Sequence, residues 1–353
     1  MNLKNIVIIM LFSIATSIKT IQYLPGGEKI IGLTKEGKCG TKPKKMPVFD
    51  TALEKIRVLF PAQAISDVQP LKGGFSGTSL YKVTLEKDIS LVVRLIHNRS
   101  AEDKQREISA QLAASKNDYG PKVYATDEEN GYIIMEFLSP GKNTLSHIKK
   151  LEGMGVLLRT MHQGEKLPTS QSIFDEIKYL YEQSREKLNK VYDCGHIERL
   201  LKEMDQYKIT WKDDKKPTHR DCNPNNIIFS NQKLYLIDFE NAAQDDPYFD
   251  LATIGIFQVF AGEHEKIFLE NYFERKPTEI EKERYVFMRK IAFLYYALTM
   301  VRLTQLPEEN YLVRKENIPL FFKLIQQINE KQFDLEKEEN RFIFALSMLN
   351  QIK

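Results

Sequence analysis

Apolar positions along the chain follow two different periods, and the change between them falls near Pro140. Before it the runs are short and two-fold. Ser79–Leu85 and Ser90–Ile96 alternate apolar and polar side chains around a Glu86-Lys87-Asp88 turn, and Lys122–Tyr124 and Gly131–Leu138 repeat the strand signal. Two helical stretches sit among them: Ala52–Leu59, ended by Pro61, and Ala101–Ser115, with Ile108, Leu112 and Ala113 on one side. Past Ser139-Pro140-Gly141 the spacing turns helical and long, over 145–163, 172–191, 197–207, 250–273, 280–306, 318–331 and 333–351, with a short β island around 227–237. No internal repeat is visible. The pattern predicts an α+β chain with a small β-rich lobe at 48–139 and a larger helical lobe at 140–353, and such a junction is a usual place for a ligand cleft.

Composition adds mainly exclusions. With 42% hydrophobic and 28% charged residues, neither disorder nor a polytopic membrane class is favoured. The 51 basic residues are offset by 48 acidic ones, so a net charge of +3 leaves no footprint for nucleic acid. Cys39, Cys194 and Cys222 form no CxxC pair and cannot all pair within the chain, which suits a reducing compartment; no cysteine chemistry is assigned. The N-terminus pulls the other way. Lys4 precedes an apolar run, Ile6–Ile18, with Ala15-Thr16-Ser17 near its end, which is signal-peptide grammar in a run too short to span a bilayer. Residues 1–20 are expected to form a signal or anchor, or else an apolar helix docked on the domain, and any membrane contact is expected to run through them. Residues 21–47, with Lys29, Lys35, Lys38, Lys42, Lys44 and Lys45, read as a basic linker.

The chemistry concentrates between His219 and Glu240. His219-Arg220-Asp221-Cys222-Asn223-Pro224-Asn225-Asn226 sets an Asp and an Asn five positions apart in a loop that runs into the strand Ile227-Ile228-Phe229. A second strand, Lys233–Ile237, delivers Asp238, followed by Phe239-Glu240. This spacing matches phosphoryl transfer, which needs a carboxylate to take the proton of an attacking hydroxyl and oxygen donors to hold Mg²⁺ against phosphates. Asp221 is the candidate base; Asn226, Asp238 and Glu240 are the candidate metal ligands. In the first lobe, Gly73-Gly74-Phe75-Ser76-Gly77 precedes a strand, where Gly73, Gly74, Ser76 and Gly77 would let backbone N–H groups approach phosphates. Arg94, on an alternating strand, would set a permanent, fork-shaped charge against them.

These segments resemble the aminoglycoside phosphotransferase and choline kinase superfamily rather than the eukaryotic protein kinases. Leu236-Ile237-Asp238-Phe239-Glu240 is similar to the IDFE or IDWE of choline and thiamine kinases, Asp246-Pro247-Tyr248-Phe249-Asp250-Leu251-Ala252 to their DPxxDLA, and Leu91-Val92-Val93-Arg94-Leu95 to their phosphate-contacting strand. The likeness runs over roughly 50–305. It implies a protein-kinase-like two-lobed fold, ATP and Mg²⁺ as cofactors, Asp221 as base, Asn226 and Asp238 as metal ligands with Glu240 auxiliary, and Asp250 as a brace for the catalytic loop. It further implies a Glu107–Arg94 pair and a hinge at Met135-Glu136-Phe137-Leu138, where the main chain of Glu136 and Leu138 would meet adenine. Arg220 departs from the small residue or asparagine usual after this histidine, which leaves the acceptor side less defined. The implied acceptor is a hydroxyl on a small, cationic metabolite such as choline, ethanolamine or thiamine. Asp221, Glu240, Asp245 and Asp246 are near in sequence for such a cation, and Tyr248, Phe249, Tyr295 and Tyr296 could wall it, with ordinary packing the plainer reading of the last two. The alternatives are a protein kinase of the same superfamily and a non-catalytic nucleotide-binding module. A cytoplasmic location is favoured, since export to a periplasm would part such an enzyme from ATP.

Overall fold

The computed structural model describes residues 47–71, 79–141, 145–259, 262–305 and 318–353. The N-terminal signal or anchor, the basic linker and the candidate glycine turn with Gly73, Gly74, Ser76 and Gly77 lie outside the described residues.

The first lobe is one antiparallel sheet of five strands, β1 (Ile65–Leu71), β2 (Ser79–Leu85), β3 (Ser90–Leu95), β4 (Val123–Asp127) and β5 (Tyr132–Glu136), in the order β1-β2-β3-β5-β4. Its period-two alternation sorts side chains onto two faces. Leu91, Val93 and Leu95 of β3 join Val83, Leu85, Tyr132 and Ile134 against Ala52 and Ile56 of helix α1 (Pro47–Leu59). Val92, Ile133 and Met135 meet Ile108 of helix α2 (Ala101–Lys116) on the opposite face. Arg94 pairs with Ile133 across β3 and β5, which places it on the α2 side. Strand β1 escapes the periodic reading because five of its seven residues are exposed and one is Pro70; an edge strand with neither face buried carries no alternation signal.

The second lobe is helical: α3 (His147–His162), α4 (Ile173–Asn189), α5 (Gly195–Thr210), α6 (Tyr248–Gln258), α7 (Glu263–Phe273), α8 (Glu279–Leu303), α9 (Phe321–Asn329) and α10 (Glu338–Leu349). Helix α8 is the axis. Every residue from Ile291 to Val301 is buried, and α4, α6 and α10 pack on it. A Thr278/Glu281 capping box starts it. The single helix predicted over 250–273 is in fact two, with Gly262 at φ +63° just before α7. Among the described residues no helix is long and apolar enough to cross a membrane.

Two small ladders accompany the helices: β6 (Lys216–Thr218) on β9 (Ala243–Asp245), and the hairpin β7 (Ile227–Ser230) to β8 (Lys233–Leu236). The hairpin turns on Asn231 and Gln232, both at positive φ, as a two-residue loop of this twist requires. The Leu236 N–H donates to the Tyr119 carbonyl of the first lobe, so β8, which ends two residues before Asp238 and also packs on α3, is pinned to both halves.

Candidate active site

Asp250, in the first turn of α6 and wholly buried, ties down the backbone of the candidate catalytic loop, 219–226. Its carboxylate accepts the N–H of His219 at 2.7 Å and of Arg220 at 2.8 Å, and faces His162 Nε2 at 3.1 Å. Burial disfavours its charge, but the contacts from His162 and His219 outweigh that and hold the carboxyl below the ordinary range. Its expected part as a brace therefore has a geometry: two buried N–H donors that no strand or helix partner satisfies. The loop is then tied to the strand after it, with His219 Nε2 on the Ile237 carbonyl at 2.9 Å and the Ile237 N–H on the Asn226 carbonyl at 3.0 Å.

Arg220 sits at φ +64°, a left-handed conformation that costs a non-glycine residue on the order of 1 kcal/mol. The side chain it projects is wholly enclosed: Ser170 Oγ at 2.7 Å, Glu176 Oε2 at 2.8 Å and Asp245 Oδ2 at 3.3 Å surround the guanidinium. These contacts fix the residue immediately before the candidate base.

Asp221 itself is 0% exposed. Its Oδ1 accepts from Asn223 Nδ2 and from the Tyr296 hydroxyl, both at 2.9 Å, and its Oδ2 from Asn226 Nδ2 at 3.0 Å. Burial raises its pKa to about 6, against the lowering by Asn223, His219 and Tyr296. Because Nδ2 of Asn226 is turned to Asp221, also bonding its carbonyl at 3.0 Å, the amide oxygen of Asn226 is left to face another partner.

Asp238 adopts φ +66° at the end of the hairpin and is 17% exposed at its side chain. Its Oδ1 accepts from Arg94 Nη2 at 2.9 Å. Arg94 also contacts Glu107 through Nε and Glu240 Oε2 at 3.0 Å. Burial works against the guanidinium charge, but Glu107, Asp238 and Glu240 more than offset it and raise the pKa of Arg94 further. Glu240 is driven well above the ordinary carboxylate range by burial and by Asp238, in spite of two arginines. The second of these is Arg99, in the turn before α2, which pairs with Glu240 and with Glu107 Oε2 at 2.9 Å.

The candidate residues thus form two adjoining groups, Asp221 with Asn226 and Arg94 with Glu107, Asp238 and Glu240. Among the described residues no cluster of three or more His, Cys, Asp or Glu has the arrangement of a metal site. An all-oxygen set of the Asn226 amide, Asp238 and phosphate oxygens suits Mg²⁺ nonetheless, and Glu240 Oε1 is a buried acceptor with no hydrogen-bond partner. At the candidate hinge, the N–H groups of Glu136 and Phe137 are taken by the Lys122 and Ser90 carbonyls, and the Leu138 side chain is buried.

The expected cation wall is corrected. Asp245 is engaged by Arg220 and by the Ile173 N–H, Asp246 by Tyr207 and Arg284. The ring of Tyr248 is covered by the Arg284 guanidinium 4.0 Å away, and Phe249 is a buried edge-to-face partner of Tyr295. These groups are occupied because the segment joins β9 to α6 and serves as core. Of the four aromatics only Tyr296 reaches the loop, and it does so with its hydroxyl. A tyrosine within an otherwise apolar, buried stretch of helix was the available signal, since its O–H needs a partner. Arg99 gave none, as it follows a turn and obeys no strand or helix period. Cys222 is buried and its thiol is pushed well up by burial, in keeping with a bystander.

A profile described as the phosphotransferase enzyme family matches residues 67–281, more than half of the chain. Protein LicA of Haemophilus influenzae is 24% identical over 136 residues, 36% of this chain and 50% of that protein. The matched stretches span 40–62% of the length of the curated relatives. Choline kinase LicA from Streptococcus pneumoniae superposes with a TM-score of 0.55 at 21% identity, covering 86% of this chain and 99% of that one. An ADP-bound aminoglycoside phosphotransferase superposes at 0.51 with 16% identity, covering 84% and 99%. The two-lobed α+β architecture is that of these kinase-like structures, and the chain belongs to the phosphotransferase enzyme family.

Proposed function

We propose that the chain moves the γ-phosphate of ATP to a hydroxyl of a small, cationic metabolite of the choline, ethanolamine or thiamine kind. The observation that carries this reading is Asp221, 2.9–3.0 Å from three neutral donors, one of them Asn226, and near enough to Asp238 for that carboxylate's charge to act on it. Asp221 accepts the proton of the attacking hydroxyl at the Oδ atom that releases a neutral donor, and a pKa near 6 keeps it in the base form at neutral pH. Asn226 and Asp238 hold Mg²⁺ with the nucleotide's phosphates, and Glu240 is its auxiliary acid. Bound there, the ion supplies charge neutralisation of the phosphoryl oxygens. Arg94 supplies a second positive group, and Asp250 keeps the loop from moving. The glycine turn and the 136–138 main chain are assigned to the phosphates and adenine. Support for a cationic acceptor comes from the choline kinase among the structural relatives.

The experiment is ATP consumption by the full chain against a panel of choline, ethanolamine, thiamine, aminosugars and neutral sugars. Stimulation by cationic alcohols, abolished in Asp221→Ala and Asp238→Ala variants that still fold, is the expected result. If none of these alcohols stimulates turnover, the small-acceptor reading fails.

A further inference from the structure

Arg99 has no task in the chemistry above, yet it is built into the nucleotide side as firmly as Arg94. It bridges two carboxylates that are each 1% exposed, Glu107 through Oε2 at 2.9 Å and Glu240 through Oε2. Arg94 takes Glu107 Oε1 and shares Glu240 Oε2. The two arginines and two acids therefore close a ring. Asp238, in contrast, depends on Arg94 alone in this group, at 2.9 Å. The Nη2 of Arg94 serves both Asp238 and Glu240, and it is this nitrogen that has to turn toward a bound phosphate while Asp238 turns to a metal. Without a second cation, that turn would strand the buried Glu240 and weaken the hold on Glu107.

We propose that Arg99 is a positioning residue for nucleotide phosphates: it keeps Glu107 and Glu240 paired so that Arg94 can exchange Asp238 and Glu240 for the phosphate chain. The inference rests on the ATP-dependent reading and extends it to a residue outside the loop motifs. It separates the two arginines by role. Arg94 contacts the phosphates, and Arg99 acts only through the acids it shares with Arg94. The effect must grow with the number of phosphates on the ligand, because the adenine and ribose make no use of either arginine.

The test is calorimetric binding of AMP, ADP and ATP, with Mg²⁺, to the full chain and to its Arg99→Gln and Arg99→Lys variants. In the parent chain ATP binds more tightly than AMP. In Arg99→Gln the ratio of ATP to AMP affinity falls about tenfold, the size of one charge-assisted contact, while AMP affinity holds. In Arg99→Lys, which keeps the charge but bridges two carboxylates poorly, the ratio lies between the two. The KM for ATP rises with the same order and kcat changes less. An unchanged ratio in Arg99→Gln overturns the proposal, even if its melting temperature drops, because that is what a purely structural pair would do; an equal loss for AMP and ATP overturns it too. If Arg99→Gln does not fold, an unchanged ratio in Arg99→Lys overturns it alone. A parent chain that binds no nucleotide sinks the ATP-dependent reading and this inference with it.

Discussion

The two halves of the site hold their carboxylates by opposite means. Around Asp221 the partners are neutral: two side-chain amides and a phenol, on a loop whose backbone is anchored by Asp250. Around Asp238 and Glu240 the partners are charged, with Arg94 and Arg99 sharing three acids. Neutral donors orient a base and leave it able to take a proton, whereas a guanidinium at the same distance would hold it ionised and quench it. Charged partners, conversely, tolerate exchange, since a phosphate or a divalent ion can replace one member of a balanced set without leaving bare charge. Burial raises the carboxyl in both halves, to about 6 at Asp221 and well above the ordinary range at Glu240. Under the proposed function, neutral hydrogen bonds surround the carboxylate that takes the proton and ion pairs hold the acids beside the exchanged ions.

Four changes would break or sharpen that contrast, from the largest effect down. Asp221→Asn removes the base and leaves its surroundings, and turnover should fall about 10²–10⁴-fold with nucleotide affinity retained, as single-turnover kinetics and calorimetry can separate. Asp250→Ala strips two buried N–H groups of their acceptor; urea unfolding should report a loss of about 2–5 kcal/mol, together with a drop in kcat as the loop loosens. Glu107→Gln cuts the charged half alone, so a stability loss of about 1.5–3 kcal/mol should come with a raised KM for ATP and an unmoved acid limb of the pH–rate profile. Tyr296→Phe removes one donor from the base, worth about 0.5–1.5 kcal/mol, and should lower kcat several-fold. It also shifts the acid limb in a known direction. The raised pKa of Asp221 means that the base form is lost as pH falls through about 6. The Tyr296 hydroxyl lowers that pKa, so its removal moves the limb to higher pH. A limb that stays in place or moves to lower pH in Tyr296→Phe would contradict the neutral-donor account.

How much of this was legible in the sequence depended on whether a residue's neighbours lie along the chain or across it. The strands at 79–85 and 90–95 and the helix from 101 were readable because alternation and helical spacing are local. The loop from His219 to Asn226 and the Asp238 that follows it were readable for the same reason, their spacing being fixed by one hairpin. The wall of aromatics was misread, because proximity of Tyr248 and Phe249 to acids in sequence says nothing of Arg284, which comes from α8 and covers the Tyr248 face.

By itself the sequence determined the two-lobed order of strands and helices, the loop that carries Asp221 and Asn226, and the strand that delivers Asp238. Those follow from backbone periodicity and from short-range spacing. Beyond the Arg94–Glu107 pair, which the resemblance implied, only the tertiary structure decided which acid meets which base. The contact of Tyr296 with Asp221 joins residues 75 positions apart, and those of Arg94 with Asp238 and Glu240 join residues 144 and 146 apart. Burial is likewise a property of the packed lobes, and it is burial that raises both the Asp221 and the Glu240 carboxyl above the ordinary range. Charge and hydrogen-bond strength depend on what displaces water around a group, and no local pattern records that.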